Sequence, residues 1–206
     1  MTATGAFLRI DPGTGPGVAR ASAASIGLWV FMGVVTALFS LFAMAYLMRM
    51  NSSDAVTLAL PWQLWTSTAL LVAGSVTLQR ASAAARRADA GRARGLLLAG
   101  GLCAIAFLCV QLWAWSALLN AQVMPAGNPA GSFFYLLTAM HGLHVAGGLI
   151  AWAWVMRSFR RETIDGGWRI ALCARYWHFM LAVWLALFAL LAWVTPEVAR
   201  FICGAV

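Results

Sequence analysis

The sequence predicts an all-α membrane protein: a five-transmembrane-helix bundle with its N-terminus in the cytoplasm and its C-terminus outside, on the periplasmic side. Three observations predict it. The 206 residues are 63% hydrophobic and only 10% charged, where a soluble domain carries about 25% charged residues. The apolar residues fall into five runs, each about as long as a helix needs to cross ~30 Å of hydrocarbon at ~1.5 Å per residue. The 14 basic residues are all arginines, and they cluster between alternate runs.

Taken in order, residues 1–25 are rich in Gly, Ala and Thr and read as a flexible tail without a signal peptide. Residues 26–206 read as one five-helix membrane domain. Its spans are Ile26–Met48, Leu60–Gln79, Gly95–Leu119, Ser132–Met156 and Tyr176–Val194. Helices are required because hydrocarbon cannot satisfy open backbone groups. "NSSDAVTLALP" joins the first two spans, and "NAQVMPAGNPAG" makes a Pro/Gly turn between the third and fourth. "RASAAARRADAGRAR" has the Ala and Arg content to extend the second and third helices as an arginine-rich hairpin. "RSFRRETIDGGWRIALCAR" reads as a polar connection.

Orientation follows from charge. Twelve arginines precede the first span or lie between spans two and three or four and five; only Arg49 and Arg200 lie on the other side. The positive-inside rule places the twelve in the cytoplasm. That position also accounts for the net charge of +8 without a nucleic-acid partner. Of the eleven tryptophans, Trp62, Trp65, Trp168 and Trp177 fall near span ends, where aromatic belts form.

No acidic residue falls inside a span. A charge at mid-bilayer costs at least ~2.5–3.5 kcal/mol and usually marks an ion or proton path, so the pattern counts against a pump. There is no Ser-centred elbow or carboxylate pair for hydrolysis. Cys103, Cys109, Cys173 and Cys203 form no metal-ligand spacing.

The histidines remain. His141 and His144 stand three apart in "FFYLLTAMHGLHVAGG", residues 133–148, and share a helix face. Such a pair can be half of a metal site. His144 lies 12 residues into its span, or ~18 Å from the outer end at ~1.5 Å per residue. His178 lies near the start of the fifth span, leaving an expected axial gap on the order of 10 Å, too long for one ion. Neutral imidazoles hydrogen-bonded between helices, near Thr138 or Tyr176, are the favoured reading. The small residues Gly142, Ala146, Gly147 and Gly148 would let a neighbouring helix approach closely.

Several segments together resemble one family. "FFYLLTAMHGLHVAGG" is similar to a motif of subunit III of the haem–copper respiratory oxidases (cytochrome c and quinol oxidases). "YWHFMLAVWLALF", residues 176–188, resembles that family's second histidine motif, and "IGLWVFMGVVTALFSLFAMAY", residues 26–46, its first conserved segment. "LPWQLWTSTALLVAGSVTLQRA" resembles another. The five-span form is similar to short bacterial members.

The resemblance implies a non-catalytic subunit in the inner membrane. It would pack against catalytic subunit I and other oxidase subunits, supporting integrity and proton uptake in aerobic electron transport. Haem and copper would reside in subunit I, with none in this chain, and a bound phospholipid fits the family. Catalytic, cofactor and metal residues are therefore expected to be none. The positions that carry over as structural or interface residues are Gly27, Trp29, Phe31, His141, Gly142, His144, Tyr176, Trp177, His178 and Trp184. Two departures stand out: the family's buried glutamate falls at Val35, and its aspartate at Leu181. They leave a second branch open, the subunit III-like accessory protein of nitric oxide reductases. A free-standing transporter and a small haem protein using His144 and His178 are the readings from other classes.

Overall fold

The computed structural model describes residues 16–51, 60–123, 129–159, 167–195, 197–198 and 201. Within them the chain forms five helices: α1 (Pro16–Met50), α2 (Gln63–Arg86), α3 (Ala90–Asn120), α4 (Pro129–Phe159) and α5 (Gly167–Trp193). Four of these, α1, α3, α4 and α5, are long and apolar enough to cross a membrane.

The ends follow local chemistry. α1 and α4 each open with proline, whose missing N–H is no loss at a first helical position. Asp89 caps α3 by accepting from the Arg92 N–H at 3.0 Å, the standard N-cap bond. The expected arginine-rich hairpin is present: α2 runs to Arg86, and a turn through Ala88 at φ 59° leads into α3. α3 ends in the same way, with Gln122 at φ 61°. Left-handed residues of this kind close helices by bonding back to the last carbonyls. Here the Val123 N–H reaches Leu118 O at 3.0 Å.

Four helices start earlier than their apolar runs, α1 and α5 by the most. α1 begins at Pro16, within the stretch read as tail, and α5 at Gly167, within the stretch read as a connection. Both extensions are rich in Ala and Arg, good helix formers that need no lipid contact to stay helical. Most of "NSSDAVTLALP" and residues 160–166 of the fourth connection lie outside the described residues, as do Arg9, Arg200 and Cys203.

α2, α3, α4 and α5 form a closed ring, and α1 lies outside it against α4 and α5. Side-chain pairings give the directions. Ser75 of α2 meets His178 of α5, Phe107 of α3 meets His141 of α4, and Tyr46 of α1 meets Phe133 of α4. Neighbours in the ring therefore alternate in direction. That alternation places Arg20, Arg80, Arg86, Arg87, Arg92, Arg94, Arg157, Arg169 and Arg175 at one end, with Arg49 at the other.

Glycines set the ring's closeness. A Cβ on Gly100 would come within 2.5 Å of Leu78 Cγ, and one on Gly101 would collide with the Trp152 ring. α3 thus accepts a leucine from α2 and a tryptophan from α4 on adjacent positions. Trp152 seats itself there by donating to the Leu97 carbonyl at 2.8 Å. Hydroxyls along the helices satisfy themselves locally: Thr36, Thr68, Thr77 and Thr138 each donate to a carbonyl four residues back, a bond open to Ser and Thr in helices.

Candidate functional site

The three histidines point in three directions. His141 turns into the ring and is fully buried. Its imidazole stands 5.2 Å from the Trp184 ring, 5.7 Å from Phe107 and 6.4 Å from Phe39. Trp184 is itself fixed by donating to Thr68 Oγ1 at 2.9 Å. Neither nitrogen of His141 has a hydrogen-bond partner among the described residues.

His144, one turn on, faces outward to α1. Its ring lies between Phe31 at 6.1 Å and Phe39 at 5.5 Å. Val35, buried midway between those two on the same face of α1, stands level with it. His144 Nδ1 bonds the Met140 carbonyl of its own helix at 2.7 Å. Tyr176 donates to the backbone carbonyl of His144 at 2.8 Å, so it pins α5 to α4 without touching the imidazole. Thr138 is occupied too, accepting from Trp115 at 3.1 Å. Thr138 and Tyr176, expected as histidine partners, therefore serve other groups.

His178 is the histidine that bridges helices. Its Nδ1 meets the Ser75 hydroxyl, and its Nε2 meets the Gln79 side-chain oxygen at 3.1 Å. These bonds tie α5 to α2 on the side of α5 away from α1.

The expected ~10 Å gap between His144 and His178 is corrected by the start of α5. Because the helix begins at Gly167, His178 lies three turns inside it. His141 pairs with Trp184, and Gly148 lies against Tyr176, so His178 is level with residues near Ala146. That is within about one ~5 Å turn of His144. What separates the two imidazoles is direction around the bundle rather than depth. Among the described residues no group of three His, Cys, Asp or Glu side chains converges as a metal site would require.

The early start of α5 also corrects Trp177. It is 2% exposed, so it is a core residue and not an interfacial anchor. Trp62 and Trp65 are exposed at the start of α2, in the position a belt requires. The small-residue face of α4 is used only in part. Gly148 receives Tyr176, whose Cε1 would lie 2.7 Å from an added Cβ; an added Cβ on Gly142 meets only Leu108 at 3.8 Å, and on Gly147 nothing within 4 Å. Gly27 likewise has no neighbour within that range. Trp29 and Phe31 are exposed on α1. Arg175 stands over the Trp29 ring at 5.8 Å and donates to Ser25 Oγ at 3.1 Å, clasping α1 to α5.

The open side of α4 belongs to a groove of about 630 Å³ between α1, α4 and α5. Leu28, Phe31, His144 and Trp154 are among its walls, and Arg20 and Arg169 stand at one end. Phe39, which packs against both His141 and His144, is a neighbour that the histidine motif does not announce. The spacing of Phe31 and Phe39, eight residues apart with Val35 between, was the available signal for a stripe facing α4.

A family model for cytochrome c oxidase subunit III matches residues 30–195. A probable cytochrome c oxidase subunit 3 of Mycobacterium bovis is 32% identical over 129 residues, 62% of this chain and 64% of the relative. The match thus spans under two thirds of that relative's length. The Mycobacterium leprae protein of the same name is 28% identical over 181 residues, 85% of this chain and 90% of the relative. The cytochrome bo(3) ubiquinol oxidase subunit 3 of Pseudomonas aeruginosa is 27% identical over 170 residues, 79% of this chain and 80% of the relative. A model match across most of the chain, including both histidine segments, settles the family: this chain is a member of the cytochrome c oxidase subunit III family.

Proposed function

We propose that this multi-pass membrane protein is the non-catalytic subunit III of a haem–copper terminal oxidase in a bacterial inner membrane. The observation that carries the reading is the family match over residues 30–195. The chemistry of the interior agrees with it. The ring is filled by aromatic and aliphatic side chains, with histidines committed to structural contacts.

In this reading the chain packs against haem- and copper-bearing subunit I and its companions, and lends them stability and sustained proton uptake. Gly27, Trp29, Phe31, His141, Gly142, His144, Tyr176, Trp177, His178 and Trp184 act as structural or interface positions within one membrane domain. α2 is the fifth crossing helix: its 24 residues reach ~36 Å, and it runs antiparallel to α3 and α5. Nine described arginines at one end orient the N-terminus inward and the C-terminus outward. A reporter active only in the cytoplasm, fused to the C-terminus, is expected to be silent; strong activity would reverse the orientation.

The groove suits a phospholipid. From Arg20 to Phe31 is eleven residues of α1, or ~16 Å, about one leaflet of hydrocarbon. Guanidinium groups at its end and apolar walls beyond match a phosphate head and an acyl chain.

The test is purification through a tag on this chain in mild detergent, with subunit identification and a haem spectrum. A haem-bearing catalytic subunit should co-purify in stoichiometric amount. Recovery of the chain alone from membranes in which the oxidase is intact would overturn the reading. Buried Val35 in place of a carboxylate is the feature that keeps the nitric oxide reductase branch as second reading. Oxygen and nitric oxide consumption by the recovered complex separates the two.

A further inference from the structure

The buried polar atoms without a hydrogen-bond partner among the described residues include both amide atoms of Gln111 on α3 and both ring nitrogens of His141 on α4. Gln111 is 6% exposed and His141 0%. Buried polar side chains nearly always have partners, because stripping water from them without replacing its bonds is costly.

The two side chains belong to one place. α3 and α4 are antiparallel, with Phe107 against His141 and Trp115 bonded to Thr138. Gln111 lies midway between Phe107 and Trp115 on the same face of α3. It therefore stands opposite the α4 turn that runs from Thr138 to His141.

The chemistry of the three groups is complementary to one small molecule. Gln111 offers two N–H donors and a carbonyl acceptor, and an imidazole with one proton offers one donor and one acceptor. Thr138 Oγ1 donates to Phe134 O at 2.6 Å and accepts from Trp115, which leaves it one lone pair. A water molecule donates twice and accepts twice, and buried waters typically make about three bonds to such groups.

We propose that Gln111, Thr138 and His141 enclose a resident water site between α3 and α4, beside the buried rings of Phe107 and Trp184. The site stands on the ring's geometry alone and does not rest on the oxidase reading. It gives His141 a hydrogen-bonding role through water, where His178 has one through Ser75 and Gln79.

The test is X-ray radiolytic labelling of the full-length chain in its purified complex, read by mass spectrometry. A bound water makes hydroxyl radical in place, so His141, Phe107 and Trp184 should oxidise severalfold faster than Met50. Met50 is an intrinsically reactive side chain of comparable burial. Gln111→Leu should return His141 and Phe107 to the Met50 level while leaving exposed Trp65 labelled as before. If that variant does not accumulate, the unaltered chain decides alone. Labelling of all three residues no faster than Met50 overturns the proposal and leaves the His141 N–H to the face of an aromatic ring.

Discussion

The seam between α2 and α3 and the flank between α1 and α4 are built on opposite plans. At the seam, Gly74 and Gly100 bring two backbones together, and a single added carbon at Gly100 would strike Leu78. At the flank, Phe31, Phe39 and His144 hold the helices apart, and a groove of about 630 Å³ remains. The contrast teaches where membrane helices get their affinity. Lipid competes equally well for apolar surface, so association depends on close van der Waals fit and a few polar bonds. The ring has both. Among the described residues α1 meets α4 through large aromatic side chains, and Arg175 of α5 clasps it at Trp29 and Ser25.

The ring should be the fragile part under substitution. Trp184→Ala removes a buried indole that touches Phe107 and His141 and bonds Thr68. The expected cost is about 3–5 kcal/mol, seen as a large drop in the thermal midpoint of the detergent-solubilised chain. Gly101→Ala comes next, because its Cβ would enter the Trp152 ring; overpacking of this kind costs about 1–3 kcal/mol. The same change at Gly147, where nothing lies within 4 Å, should leave the midpoint unmoved. Equal effects at the two glycines would erase the distinction between ring and flank.

His144→Ala should cost less, roughly 0.5–1.5 kcal/mol. Its Nδ1 bonds a carbonyl of its own helix, so truncation strands no group on another helix. His178→Ala should cost more than His144→Ala, because it leaves buried Ser75 without its cross-helix partner. A reversed order, read from the same midpoints, would contradict the assignment of His178 as the bridging histidine. Smallest is Arg175→Gln, which removes a surface cation–π contact worth about 0.5–1 kcal/mol. It should loosen α1 selectively, measured as faster amide exchange in residues 19–31 with the ring unchanged.

The helices and the family were legible because hydropathy and motif order are local properties of the chain. Apolar run lengths located five helices, and the Ala/Arg composition of residues 80–94 foretold the hairpin. The helix starts outside hydrocarbon were not legible, since hydropathy reports the lipid boundary and not the end of the backbone ladder. That error displaced α5 by nine residues, placing Trp177 at an interface and His178 too far from His144. The directions of the histidines were also beyond reach. A spacing of three places His141 and His144 on one face, yet that face is wide enough to send one into the ring and the other to α1. Ser75 and Thr68 were visible as polar residues in a span; that they hold His178 and Trp184 depends on the register of α2 against α5.

The proposal to be tested is that this chain serves an oxidase without holding a redox group. The most direct measurement is the reduced-minus-oxidised spectrum of the purified complex before and after this chain is stripped away with detergent. The account predicts unchanged haem absorbance per catalytic subunit, with lower stability and proton uptake of the remaining complex. Loss of a haem band in step with removal of this chain would contradict it.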